Sequence, residues 1–129
     1  MPIKPRKINF SVSIRQSGAV SLVDVSGHFT SFESGALRSA IESLLKEKRN
    51  CILLNLSRLD YLDSSGVGEL VRNYLTVIKS GGEMKVVGLS SKIEEILKIT
   101  QLYQVFPDFP DEDAALRSFP QPPGRSADN

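Results

Sequence analysis

The chain has 129 residues, of which 40% are hydrophobic, so it can form one domain with a substantial core. Sixteen Lys and Arg against fifteen Asp and Glu give a formal net charge of +1, which excludes the broad basic surface of a dedicated nucleic-acid-binding protein. One cysteine excludes an internal disulfide, and one histidine beside it leaves too few ligands for a structural zinc site.

Both ends of the chain have compositions typical of disordered segments. Residues 1–7 contain two prolines and three basic side chains, and residues 120–129 contain three prolines and few apolar residues. We therefore expect one folded domain over residues 8–119. There is no apolar run of a signal peptide and no stretch of 18 apolar residues, so we expect a soluble, cytoplasmic protein.

A β-hairpin is predicted at the start of the domain. Residues 8–16 have apolar side chains at every second position, which is typical of a strand with one buried and one exposed face. Ser17-Gly18 then predicts a turn, and residues 19–26 predict a second strand.

Helical spacing and short apolar runs alternate through the rest of the chain. Apolar residues three and four positions apart predict amphipathic helices over residues 36–45, 67–78, 91–97 and 111–119. Ser91 and Glu94 form a capping-box pattern at the third of these helices. Further strands are predicted at 51–56, 84–88 and 103–106, with a polar loop at 57–63.

The strand at 51–56 is apolar almost throughout, which is typical of a central parallel strand buried on both faces. The element order predicts an α/β fold. We expect a mostly parallel sheet of four or five strands, an antiparallel hairpin at its edge and about four helices.

Residues able to carry out catalysis are few. His28 is the only histidine, and Cys51 begins a buried strand, where a thiol is typically inert. Neither the glycine pattern of a dinucleotide-binding loop nor that of a phosphate-binding loop occurs. We therefore expect a protein that is not an enzyme and has no metal or cofactor.

The most informative segment runs from Asp60 to Leu70 (DYLDSSGVGEL). It joins a buried parallel strand to a helix at the carboxyl edge of the sheet, where open α/β sheets place their functional surfaces. Asp63, Ser64 and Ser65 are typical helix-capping residues, and a single cap contributes about 1 kcal/mol. They also suit a phosphorylation site, where about −1.5 to −2 added charges would repel a docked partner more than they disturb the helix. Two glycines in the first helical turn leave the hydroxyls accessible and favour that second interpretation.

Residues Leu53 to Leu70 (LLNLSRLDYLDSSGVGEL) resemble the signature of the STAS domain, a family named for sulphate transporters and anti-sigma factor antagonists. The resemblance extends over residues 8–119, including the hairpin and the Gly27 turn before the first helix. Because no membrane segment precedes the domain, the chain resembles the free-standing bacterial antagonists. The resemblance implies a phospho-switched module that sequesters an anti-sigma factor serine kinase when unphosphorylated and so releases a sigma factor.

The resemblance also implies roles for individual residues. Ser64 corresponds to the serine that the kinase phosphorylates and a serine phosphatase restores. Asp63 corresponds to the acid of the motif and Gly66 to the glycine at the helix entry. With Asp60 and Ser65, these residues make up the expected partner-binding switch loop.

One position departs from the family pattern. Many members carry an acidic residue in the second loop, where this chain reads Gly27-His28-Phe29-Thr30. Thr30 would still cap the following helix or hydrogen-bond a partner. Phe29 and Phe32 would either anchor that partner or pack beneath the loop.

Two alternatives to an antagonist stay open. A scaffold or sensor subunit of a larger signalling assembly would use the same fold, and its oligomeric state would distinguish it, because an antagonist is expected to be a monomer or weak dimer. A small-molecule- or nucleotide-binding domain would need a pocket beside residues 57–66. In each case we expect no direct nucleic-acid partner and no membrane partner.

Overall fold

A four-stranded sheet in the order β1-β2-β3-β4 forms the centre of the molecule, with helices on both faces. The computed structural model describes residues 10–30, 34–101, 104–106 and 109–120. The strands are β1 (Phe10–Ser17), β2 (Val20–Phe29), β3 (Cys51–Leu62) and β4 (Glu83–Val87). The helices are α1 (Ser34–Lys46), α2 (Ser64–Lys79), α3 (Ser91–Ile99) and α4 (Glu112–Arg117).

The strand pairing confirms the predicted α/β topology. β1 pairs antiparallel with β2 at one edge, whereas β2 with β3 and β3 with β4 are parallel. β3 lies between two parallel neighbours, and Ile52, Leu53 and Leu54 are fully buried, as the apolar run predicts. The predicted disordered ends, residues 1–7 and 120–129, lie outside the described residues except for Pro120.

Two hydrophobic clusters hold the helices on the sheet. The larger contains buried residues of α1, α2 and α3 on one face, and the smaller contains α4 residues on the other. In α2 the buried stripe is rotated relative to the sequence pattern. Val77 is fully buried, whereas Leu75 and Ile78 are 48% and 42% exposed.

The predicted polar loop at 57–63 is wrong for most of its length, because β3 continues to Leu62. Leu59 and Leu62 are buried and pair with Gly27 and Phe29 of β2. The register between the strands shifts twice on the way, and these β-bulges accommodate exposed polar residues without ending the ladder. For the same reason Gly27 lies inside β2, and the turn predicted there is wrong.

Two smaller predictions also differ from the structure. Of the strand predicted at 103–106, Tyr103 lies outside the described residues and 104–106 form a turn and a bend, so the described part of the chain contributes four strands to the sheet. The cap of α3 is Ser90 rather than Ser91. Ser90 has extended backbone angles, and its hydroxyl accepts the N–H of Ile93 at 3.2 Å.

α4 is fastened to the sheet by polar contacts as well as by Ala115 and Phe119, which are buried as predicted. Arg15 on β1 donates to Glu112 and also to Asp24, and Asn55 Nδ2 donates to Glu112 Oε2 at 2.6 Å. The hydrogen bond from the Arg15 guanidinium holds the pKa of the Glu112 carboxyl below its ordinary value of 4.5, assisted by the bond from Asn55. The charged form of Glu112 is thus the one that the fold stabilises.

We expect Glu112→Gln to lower the free energy of unfolding by about 1 kcal/mol at neutral pH, as for a partly exposed ion pair. A carboxyl whose pKa is lowered in the folded state stabilises above its unfolded pKa, and the effect disappears as pH falls through the folded pKa. Urea unfolding across the acidic range should therefore show the two proteins converging at low pH. Glu42→Gln, an exposed change on α1, should leave stability unchanged at every pH, and an equal loss in both variants would contradict this role of Glu112.

Candidate functional site

The carboxyl ends of β2 and β3 bring the predicted site residues together. The strands end in register, with Phe29 opposite Leu62, so Thr30 and Asp63 leave the sheet side by side. The N–H of Asp63 donates to the carbonyl oxygen of Phe29 at 3.5 Å, which ties the two chain segments directly.

Asp63 is the N-cap of α2. Its backbone is extended, with φ −102° and ψ −177°, and its Oδ1 accepts the N–H of Gly66 at 2.9 Å. Its carbonyl oxygen accepts the N–H of Val67 at 2.9 Å, which begins the helix. One residue therefore fulfils both capping functions.

The hydroxyls of Ser64 and Ser65 take no part in capping α2. Neither makes a hydrogen bond within the described part of the chain. Ser64, the first residue of α2, is exposed, whereas Ser65 is half-buried. The capping interpretation thus accounts for Asp63 but not for the serines that follow it.

Gly66 is present because α2 approaches the end of β2 too closely for a side chain. A Cβ at this position would lie 2.6 Å from Leu62 Cδ1 and closer still to the carbonyl oxygen of Phe29. The expectation that this glycine opens space around the hydroxyls is therefore wrong, because Gly66 is buried in a packed contact. Gly68 is different, since a Cβ there would meet only the Arg72 side chain, 3.5 Å away.

The buried acid on the first turns of α2 has its charge balanced. Glu69 is 7% exposed, and its carboxylate accepts from Arg72 Nε at 3.1 Å. Asn73 is also buried and donates to the backbone carbonyl of Glu69 at 2.8 Å. These contacts belong to the same helix that begins at Ser64.

Two other predicted residues lie elsewhere. Asp60 is inside β3, where it lines a hollow on the sheet together with Arg58 and His28. Phe29 is fully buried and stacks on Phe10 with ring centroids 5.0 Å apart, so it packs beneath the surface and cannot anchor a partner. Phe32 lies outside the described residues.

An exposed aromatic pair at the same edge was not singled out in the sequence. Tyr61 is 42% exposed, and its ring lies 5.7 Å from that of His28 in an edge-to-face arrangement. The sequence signal for this pair was Tyr61, an aromatic residue among the polar side chains that precede α2. Large exposed aromatic side chains are common anchors of protein interfaces.

Other chemistry has little support among the described residues. At the opposite end of β3, burial raises the pKa of the Cys51 thiol, which disfavours the reactive thiolate form. In the part of the chain that the structure describes, no group of three His, Cys, Asp or Glu side chains is arranged to hold a metal ion. No helix among the described residues has the length and apolarity needed to cross a membrane.

Comparisons with known proteins agree with this geometry. The family model described as the STAS domain matches residues 11–115. The anti-sigma F factor antagonist of Paenibacillus polymyxa is 27% identical over 111 residues, covering 84% of this chain and 94% of that protein. The crystal structure of an anti-sigma factor antagonist from Mycobacterium paratuberculosis superposes with a TM-score of 0.74 at 27% identity, covering 84% of this chain and 92% of that one. The Bacillus cell fate determinant SpoIIAA in its phosphorylated form shares the fold, with a TM-score of 0.66 at 18% identity over 84% of this chain and all of that one.

We expect Asp63→Ala to lower the free energy of unfolding by about 1 kcal/mol, because the N–H of Gly66 loses its acceptor. Asp63→Asn keeps a side-chain oxygen at the same place and should cost much less. Urea unfolding of the two variants measures the difference. Equal losses would show that the charge of Asp63, and not its capping bond, matters for stability.

Gly66→Ala should destabilise the fold by about 1–3 kcal/mol, since the added methyl group must displace the end of β2 or the start of α2. Gly68→Ala is the matched control two residues along the same helix. It has room for a methyl group and should stabilise the fold by about 0.5–1 kcal/mol, because alanine loses less entropy in a helix. Thermal unfolding distinguishes the two, and a harmless Gly66→Ala would refute the close contact.

Proposed function

Because the chain belongs to the STAS domain family, we propose that it is an anti-sigma factor antagonist whose binding is switched by phosphorylation of Ser64. Residues 8–119 form the domain, and its partners are an anti-sigma factor serine kinase and a serine phosphatase of the cytoplasm. Two observations on similar proteins support this proposal. Relatives covering most of the chain are named antagonists, and one solved relative of the same fold is phosphorylated.

The observation that carries the proposal is the state of the Ser64 hydroxyl. It is exposed on the first residue of α2 and has no hydrogen-bond partner among the described residues, while Asp63 already caps the helix. A hydroxyl that the fold does not use is available to a kinase. Ser65 is half-buried and is the poorer acceptor.

The position of Ser64 separates the effect of phosphate on folding from its effect on binding. At the start of a helix the phosphate oxygens meet free backbone N–H groups and the positive end of the helix dipole, so the folded state loses little. In a docked interface the same charge is buried. Unless the partner supplies a cation, that burial costs several kcal/mol.

The surface around Ser64 suits a protein partner. Thr30 and Asp63 leave the sheet beside it, and the exposed ring of Tyr61 lies on the strand that leads to it. We assign Thr30, Asp63 and Ser65 to the partner-binding edge and Gly66 to its rigid support. Asp60 lies outside this edge, on the sheet face of β3, and would contribute only as a flanking charge.

Ser64→Asp should weaken binding to the cognate anti-sigma factor by about 100-fold or more, since each 1.4 kcal/mol is a factor of ten in affinity. Ser64→Ala should bind like the unmodified protein and refuse phosphate from the kinase. Calorimetric titration measures the affinities, and site mapping by mass spectrometry identifies the phosphorylated residue.

Ser91→Asp is the matched control, because Ser91 is also the exposed first residue of a capped helix. It should add the same charge without changing affinity. Equal binding by Ser64→Asp and the unmodified chain would refute the switch. Phosphorylation that persists in Ser64→Ala and is lost in Ser65→Ala would move the site by one residue.

A further inference from the structure

A polar hollow lies on the sheet face that carries α4, beyond the part which that helix covers. Along β2, Leu22 packs under α4, whereas Ser26 on the same face lies past it, since alternate residues of a strand share a face. The hollow has a volume of about 270 Å³. Its lining residues are Phe10, Ser11, Ser26, Gly27, His28, Arg58 and Asp60. We call it the edge hollow.

A larger open groove of about 470 Å³ continues from the edge hollow along the sheet. The two share Ser11, Ser26 and Arg58. The lining of the groove is mostly polar, with Ser13, Asn55 and Ser57 beside a single apolar residue, Val25. Small side chains leave it unfilled, although β-branched and aromatic residues are the usual occupants of strands.

The second of the two β-bulges between β2 and β3 lies at the edge hollow. Leu59 pairs with Gly27 and Tyr61 with His28, so Asp60 is the extra residue of a β-bulge. Gly27, which pairs with Leu59 just before the bulge, has φ 95°, a conformation that favours glycine. Bulges of this kind are frequent beside functional sites because they re-aim a side chain.

The edge hollow contains two opposite charges that are not used by the fold. Arg58 and Asp60 are exposed, and neither makes a salt bridge or hydrogen bond, to each other or to any described residue. Arg15 in the neighbouring groove shows the contrast, because Asp24 and Glu112 occupy its guanidinium. The free guanidinium and the free carboxylate are therefore the charges available to a ligand.

We propose that the edge hollow binds a small zwitterion, a free α-amino acid. Its carboxylate would accept the paired N–H groups of Arg58, and its ammonium group would donate to the Asp60 carboxylate. A purely anionic ligand would face Asp60, and a purely cationic one would face Arg58, so each is repelled by one of the two charges. The adjoining polar groove takes the ligand side chain, which selects a polar amino acid such as glutamine.

The hydroxyls at the base of the hollow add to this recognition. Ser11 and Ser26 are hydrogen-bonded to each other at 2.6 Å, which leaves one hydroxyl hydrogen and several lone pairs for a ligand. Arg58 and Asp60 lie two positions apart on β3, and the long, flexible Arg58 side chain can bring its guanidinium towards the Asp60 carboxylate around a bound amino acid.

The test uses the full chain labelled with ¹⁵N and titrated with L-glutamine to millimolar concentration. We expect saturable amide shifts at Ser26, Arg58 and Asp60. N-acetyl-L-glutamine lacks the ammonium group and L-glutaminamide lacks the carboxylate, so each should bind at least tenfold more weakly. Arg58→Gln and Asp60→Asn should each abolish the shifts.

Arg38→Gln and Glu42→Gln remove the same charges from exposed positions on α1 and should bind glutamine normally. Ser64→Ala should also bind normally, since no anti-sigma factor takes part, so the outcome is independent of the proposed switch. Equal binding of N-acetyl-L-glutamine would overturn the proposal. So would shifts that lie away from the hollow, the absence of saturable shifts, or glutamine binding that survives in Arg58→Gln.

Discussion

The contact between Gly66 and the carbonyl group of Phe29 determines how the carboxyl edge is built. Because no side chain separates them, the first turn of α2 rests directly on the end of β2. That closeness lets the N–H of Asp63 reach the same carbonyl oxygen, and the capping bond of Asp63 then sets the direction of the helix. The exposure of Ser64 follows from these contacts, so the position of its hydroxyl is a property of the rigid core rather than of a free loop.

β3 connects the two surfaces that the molecule offers. Its first half is buried on both faces and holds the sheet together, while its second half is half-exposed and twice bulged. The strand delivers Asp63 and Ser64 to the carboxyl edge, and three residues earlier it places Asp60 in the edge hollow. The bulges allow β3 to be tightly packed in its first half and to carry exposed polar side chains in its second half.

Secondary-structure elements that depend on a local residue pattern are predictable from the sequence. Features that depend on contacts between residues far apart in the chain are not. The apolar run at 51–56 and the helical spacing of α1 depend only on neighbours, and both were predicted correctly. The extension of β3 to Leu62 depends on pairing with β2, which a polar segment does not reveal. At the candidate site, the capping role of Asp63 was predictable from its residue type and its place before a helix. The steric role of Gly66 was not, because the atoms that exclude a side chain belong mainly to Phe29, 37 positions earlier. The contact of Arg15 with Glu112 joins residues 97 positions apart and has no local signal either.

The placement of α4 has a consequence for how the chain is made. Leu22, Leu53 and Val87 form an apolar strip that is covered by this last described helix together with Phe109 before it and Phe119 after it. During synthesis the sheet can pair as soon as β4 has left the ribosome, yet the strip stays open to water until some thirty further residues have been added, at about 5–20 residues per second. For that interval the nascent protein carries an uncovered hydrophobic surface, and the docking of α4 is the step that removes this surface from water.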